Sequence, residues 1–149
     1  MSPKTSERNR LPPLSDDQQR AAFAKAIAEF NAWRFYDCHE TLEDVWRAAP
    51  TGARPGEPGD IADFYQGVIK VAAGLHHLLR ANHKGAVNLL TDALNLLDPY
   101  RPATLGIDVD RLHDDTSDTL HRVRHLGPRR LGELDRATLP RIHREGETA

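Results

Sequence analysis

Residues 61–80 read IADFYQGVIKVAAGLHHLLR, the most apolar stretch of the chain at helical spacing. Large side chains recur there every three or four residues, which is typical of a helix buried along a broad face. The residues on that face are Phe64, Val68, Val71, Ala72, Leu75 and Leu79. We therefore expect a largely buried helix from Ile61 to about Arg80.

Capping patterns predict where two helices before this stretch begin. Ser15 is followed three residues later by Gln18, and Asp37 is followed in the same way by Glu40, which is the spacing of a capping box. The expected helices form an antiparallel hairpin, because only a short break separates them. They cover 16–32 and 38–49.

Turn-forming residues delimit the rest of the chain. Residues 50–60 contain three prolines and three glycines, which predicts an exposed loop. A fourth helix is expected over about 85–98, and a fifth is expected to start at a cap formed by Asp108 or Asp110 and to end before Gly127. No stretch alternates with period two for long enough to predict a sheet. The predicted fold is all-α, a compact bundle of antiparallel helical hairpins with about five helices.

A chain of 149 residues is the usual size of one domain. We expect a flexible N-terminal segment over 1–14, a single helical domain over 15–127, and a basic, partly disordered tail over 128–149. The tail has a few apolar residues that could dock, but its polarity predicts that disorder increases toward its end.

Composition narrows the class of protein. The formal net charge is −2, from 20 basic and 22 acidic residues, so no global charge attracts nucleic acid or an anionic membrane. The single cysteine excludes an intrachain disulfide and a cysteine zinc knuckle. No apolar run approaches the roughly 18 residues of a membrane helix or forms a signal-peptide core. We expect a cytoplasmic protein whose partner is a small ligand or another protein. The composition is also compatible with an oligomer.

The second predicted helix carries a candidate site. His39, Leu42, Glu43 and Trp46 stand at i, i+3, i+4 and i+7, so an imidazole and a carboxylate share the face that packs. Burying such groups is costly unless each has a partner. The pattern therefore predicts a polar cluster, with His39 and Glu43 as the candidate catalytic residues.

Three interpretations of this cluster remain open. His39 and Glu43 have the spacing of a two-ligand metal clip, which His76 or His77 would complete to three ligands for a divalent metal. Without metal, Glu43 could orient His39 as a general base. In a structural interpretation, His39 is a core residue held by Glu43, and Glu40 completes the capping box of Asp37. The string His-Glu-x-x-Glu lacks the second histidine of the zinc-protease motif.

The helix over 61–80 supplies a second set of polar residues. Gln66, Lys70 and His77 lie along one stripe, and His76 lies on the neighbouring stripe. If this helix packs antiparallel on the second helix, Gln66 or one histidine can approach His39. Gly67 costs about 1 kcal/mol relative to alanine in a helix, so either a close helix contact or a ligand-sized gap should explain it. The predicted ligand-binding residues are Glu40, Gln66, Lys70 and His77.

Other chemical groups have simpler interpretations. Cys38 is expected to be a small, half-buried thiol, because residues i and i+1 of a helix face different ways and Cys38 cannot pair with His39. A second set of residues is interpreted as core and corner packing rather than a base-stacking platform, namely Trp33, Phe35, Tyr36 and Trp46. A third set is interpreted as a solvated helix end, namely His121, Arg122, Arg124, His125, Arg129 and Arg130.

Several short blocks follow one another in a specific order, including FN at 30–31, FYDCHE at 35–40, LED at 42–44, YQGVI at 65–69 and HH at 76–77. Their order resembles domain-of-unknown-function family 309, and the resemblance covers about 20–108. It implies a small all-helical domain without an established activity. It also implies a set of signature positions, here His39, Glu40, Glu43, Gln66 and Gly67. Lys70 departs from the pattern, and a cation there could neutralise Glu43 or Glu40.

These observations lead to two hypotheses about function. In the first, the chain is a small-ligand or metal-binding helical domain with hydrolytic activity, in which His39 and Glu43 bind a divalent metal or activate water while Gln66 and His77 orient the ligand. In the second, it is a protein-interaction module whose polar cluster only fixes the packing of the helices.

Overall fold

A computed structural model describes residues 11–49 and 61–147, and five α-helices account for most of this part of the chain. Each helix packs on the next one along the chain, so the bundle is built from successive hairpins. The all-α prediction is confirmed, and the predicted loop over 50–60 lies outside the described residues. The helices are α1 (Asp16–Asn31), α2 (Phe35–Ala48), α3 (Ile61–Leu79), α4 (His83–Leu97) and α5 (Val109–Arg130).

Local capping sets the start of α1 and α5. The Ser15 hydroxyl accepts from the Gln18 backbone N–H at 3.1 Å, and the Gln18 side chain accepts from the Ser15 N–H at 2.9 Å. Asp108 caps α5 by accepting from the Arg111 N–H at 3.0 Å. Both caps match the sequence pattern, because the groups involved lie within three residues of each other.

The start of α2 differs from its prediction. The helix begins at Phe35, and Asp37 accepts from Arg34 Nε at 2.9 Å instead of capping a helix at Cys38. Trp33 has a left-handed backbone with φ 64°, which turns the chain sharply after α1. The second helix can therefore begin at Phe35, two residues after Trp33 and ahead of the predicted cap at Asp37.

Two glycines of α3 allow α4 to approach closely. A Cβ atom on Gly67 would lie 2.9 Å from Leu97 Cδ2, and a Cβ atom on Gly74 would lie 2.7 Å from Leu90 Cδ2. Leu90 and Leu97 are fully buried, so neither can move aside freely. Close helix contact, rather than a gap for a ligand, explains Gly67.

We predict that Gly74→Ala lowers the free energy of unfolding by about 1–2 kcal/mol. The overpacking against Leu90 should outweigh the roughly 1 kcal/mol that alanine gains in helix propensity. Gly132→Ala is the matched control, since no atom of the described residues lies within 4 Å of its added Cβ. Urea unfolding measures both variants. An unchanged or higher midpoint for Gly74→Ala would mean that α3 and α4 can separate without cost.

Short elements connect and follow the last helices. A 3₁₀ turn over Asp98–Tyr100 leads into β1 (Ala103–Thr104), which pairs antiparallel with β2 (Ile107–Asp108). The sequence predicts no sheet, and strands of two residues are too short to show alternation. Gly127 at φ 72° kinks α5 before Pro128, and 3₁₀ turns follow at Leu131–Glu133 and Arg136–Thr138. None of the helices in the described ranges is both long and apolar enough to cross a membrane.

The C-terminal segment, residues 131–147, docks on the helices. Asn31 Nδ2 donates to the Ile142 carbonyl at 3.0 Å, and the Ile142 N–H donates to Asn31 Oδ1 at 2.8 Å. Arg144 forms a β-bridge with Ile107. The sequence predicts growing disorder after residue 128, whereas this segment is anchored as far as Arg144. Its buried side chains are Leu131, Leu139, Pro140 and Ile142.

Candidate ligand site between α2 and α3

The start of α2 and the end of α3 bring four side chains together. His39 Nε2 lies 3.4 Å from Glu43 Oε2, one helical turn away. The Tyr36 ring lies over both imidazoles, with centroids 6.1 Å from the His39 ring and 5.7 Å from the His76 ring. We call these four residues, Tyr36, His39, Glu43 and His76, the histidine face. Tyr36 was not among the sequence candidates, although its i, i+3 relation to His39 is a signal that would identify it.

The histidine face is open to solvent. The side chains of His39 and Glu43 are 31% and 44% exposed. Their separation of 3.4 Å is longer than an ordinary N–H···O hydrogen bond of about 2.9 Å. His39 Nδ1 is itself buried and has no hydrogen-bond partner among the described residues. This geometry differs from the structural interpretation, in which His39 is a core residue held by Glu43.

The two consecutive histidines of α3 have different surroundings. His77 Nδ1 accepts from Asn82 Nδ2 at 3.0 Å, in the turn between α3 and α4. His76 lies beside Tyr36, which makes it the α3 histidine that reaches the site. Burial, and then the neighbouring Arg80, His77 and His39, lower the pKa of His76, which favours its neutral ring.

Two of the predicted ligand-binding residues, Lys70 and Glu40, make other contacts. Gln66 lies ten residues before His76 on α3, about 15 Å along the helix axis, and its proximity to His39 and Glu43 stays a prediction. Lys70 Nζ lies 3.2 Å from Asp92 Oδ2 of α4. Lys70 therefore forms an ion pair between α3 and α4 rather than with Glu43. Glu40 lines a cleft between α1 and α2.

One distance in this cluster bears on the metal hypothesis. Two ligands about 2.1 Å from a tetrahedral zinc ion lie about 3.4 Å apart, which is also the separation of His39 Nε2 and Glu43 Oε2. Across residues 11–49 and 61–147, no three His, Cys, Asp or Glu side chains are already arranged to hold a metal ion. The set His39, Glu43 and His76 stays a prediction.

Cys38 lies on the opposite side of α2, in the core. It is fully buried rather than half-buried, and burial, together with the charge of Glu29, raises the pKa of its thiol to about 12. Glu29 is itself buried, where Thr41 donates to it at 2.7 Å and Lys25 Nζ lies 3.3 Å away. Such a thiol is protonated at neutral pH and is not a nucleophile.

The four aromatic residues that were interpreted as packing residues separate into two groups. Phe35 is buried and Trp46 is partly buried in the core, as expected. Trp33 and Tyr36 are instead 42% and 55% exposed. Both lie at the corner between α1 and α2, and Tyr36 is itself part of the histidine face.

Comparison with known proteins agrees with the resemblance seen in the sequence. Residues 23–89 match the family described as "Domain of unknown function (DUF309)", so the resemblance is confirmed for the segment that contains α2, α3 and the histidine face. The matched segment extends from within α1 into α4.

Two relatives share part of the chain. Uncharacterized protein YpuF of Bacillus subtilis (strain 168) is 32% identical over 94 residues, which cover 61% of this chain and 50% of the relative. An uncharacterized protein of Aquifex aeolicus (strain VF5) is 30% identical over 97 residues, which cover 62% of this chain and 27% of the relative. The chain thus spans half or less of each relative's length. No solved structure matches.

Proposed function

We propose, from the contacts of α2 with α3, that the histidine face binds a divalent transition-metal ion and serves a hydrolytic reaction. His39, Glu43 and His76 would be the ligands. The observation that carries the proposal is the 3.4 Å separation of His39 Nε2 and Glu43 Oε2, one edge of a tetrahedral site. A metal ion bound there would lower the pKa of a coordinated water.

The protonation state and exposure of the donors support this proposal. Metal ligation needs neutral imidazoles, and the lowered pKa of His76 favours its neutral ring. His39 and Glu43 are open enough for a substrate to reach them, and Tyr36 packs on both rings. Imidazole nitrogen with carboxylate oxygen suits zinc, manganese and nickel.

Elemental analysis of native, tag-free protein, followed by titration with Zn²⁺, Mn²⁺ and Ni²⁺, tests the proposal. We expect about one ion per chain, and His39→Ala and Glu43→Gln should each weaken binding more than about tenfold, since each removes a ligand. His125→Ala is the matched control, because this exposed α5 histidine lies outside the site.

Metal-free protein that takes up none of the three ions would reject the proposal. Binding that survives His39→Ala and Glu43→Gln but is lost in His125→Ala would place the ion elsewhere and would also reject it. If metal is bound as expected, the same variants should lose hydrolysis of a general ester or phosphoester substrate in parallel with the metal.

A second candidate function rests on the exposed aromatic corner. Trp33 and Tyr36 together expose large aromatic rings, of the kind that forms the centre of protein interfaces. In that case the chain is a protein-interaction module. Glu43→Gln separates the two functions, because in an interaction module it should change only the free energy of unfolding and leave metal content unaffected.

A further inference from the structure

A cavity of about 520 Å³ lies where α1, the β1–β2 turn and the C-terminal segment meet. None of the lining residues within the described part of the chain belongs to the histidine face. Its volume falls within the roughly 300–1,000 Å³ of small-molecule sites. A ligand in this cavity would therefore bind independently of the proposed metal site.

The floor of the cavity is apolar and firmly held. Phe23 is 6% exposed, and its ring packs edge-on against Phe64 and Tyr65 at centroid distances of 6.1 Å and 5.8 Å. Gln19, also in the lining, donates a hydrogen bond to the Tyr65 hydroxyl. The floor is thus tied to the core and needs little rearrangement to receive a ligand.

The rim carries an apolar side chain in a strained position. Leu105, at the tip of the β1–β2 turn, is 45% exposed and has a left-handed backbone with φ 51°. Glycine or asparagine adopts this conformation at lower cost, and a polar residue would be better solvated. A ligand packed against Leu105 would offset both costs, which connects the strain to binding.

The described lining contains two arginines and one aspartate. Arg20, whose guanidinium also pairs with Asp17, and Arg144 supply the cations, and Asp16 is the only acidic side chain among the described lining residues. The backbone of Arg144 is fixed by its bridge to Ile107. Guanidinium groups bind carboxylates and sulfonates with strong, directional hydrogen bonds. We propose that this cavity binds a small organic anion with an apolar body, such as a medium-chain carboxylate.

Fluorescence titration with 1-anilinonaphthalene-8-sulfonate tests this site on the full-length protein. We expect one binding site, with the probe displaced by decanoate and not by decylamine. Arg20→Gln and Arg144→Gln should each weaken binding about tenfold, the effect of losing one charge-assisted hydrogen bond. Arg129→Gln, an exposed arginine outside the cavity, should leave binding unchanged.

Leu105→Asn gives a second measurement that does not depend on charge. It should raise the melting temperature by about 2–4 °C by relieving the backbone, while weakening probe binding through loss of apolar contact. Binding of more than one probe, equal displacement by decylamine, or affinities unchanged in both arginine variants would overturn the proposal. So would unchanged affinity in Leu105→Asn.

Discussion

Ile142→Ala should lower the free energy of unfolding by about 2–4 kcal/mol, a large share of the stability of a small domain. Ile142 is 4% exposed, and both of its backbone polar groups are hydrogen-bonded to the Asn31 side chain. Because Asn31 holds the backbone in place, the segment cannot easily shift to fill the cavity left by the smaller side chain. Urea unfolding followed by circular dichroism measures the change.

Two further variants make this test specific. Asn31→Ala should cost about 1–3 kcal/mol, because it leaves the backbone groups of Ile142 without partners. Glu145→Ala is the control, since its exposed side chain lies in the same segment. If the C-terminal segment were as loosely attached as its sequence predicts, Ile142→Ala would unfold at the same urea concentration as the unmodified protein.

Alkylation of Cys38 by iodoacetamide at pH 8 should be at least about 1000-fold slower in the native protein than in the unfolded chain. Burial and the charge of Glu29 raise the pKa of the thiol from 9.0 to about 12, which reduces the reactive thiolate by about that factor. Full burial of the side chain slows the reaction further. Mass spectrometry of timed samples gives the rate.

The unfolded reference is the same protein in urea, where its single cysteine is accessible. Cys38→Ser provides the blank, since it should take up no label under either condition. Rapid native labelling that follows the thiolate fraction of an ordinary cysteine would show that α2 opens readily near Glu29, and it would contradict the burial of Cys38.

The local part of the candidate site follows from the sequence. His39 and Glu43 are one turn apart on any helix, so their proximity in α2 needs no information from the rest of the chain. Their contact with a histidine of α3 is a weaker inference, because it requires antiparallel packing of two helices. The histidine that makes this contact, His76, depends on the rotation of α3 about its axis, which the neighbouring stripes do not decide.

Contacts between helices separate candidates that share a stripe. Gln66, Lys70 and His77 share one stripe of α3, and the sequence allows Lys70 to neutralise Glu43 or Glu40. Lys70 reaches Asp92 of α4 instead. Periodicity reports which way a side chain points, but it contains no information on which neighbouring helix lies there.

The sequence by itself determined the all-α class, the positions of the five helices within a few residues, and the pairing of His39 with Glu43. These depend on interactions within a few residues, such as the Ser15 cap and the helical spacing of apolar side chains. Only the tertiary structure decided the close contact at Gly67, the burial of Cys38 and the docking of Ile142 on Asn31. The physical reason is that each depends on atoms brought together by packing between distant parts of the chain.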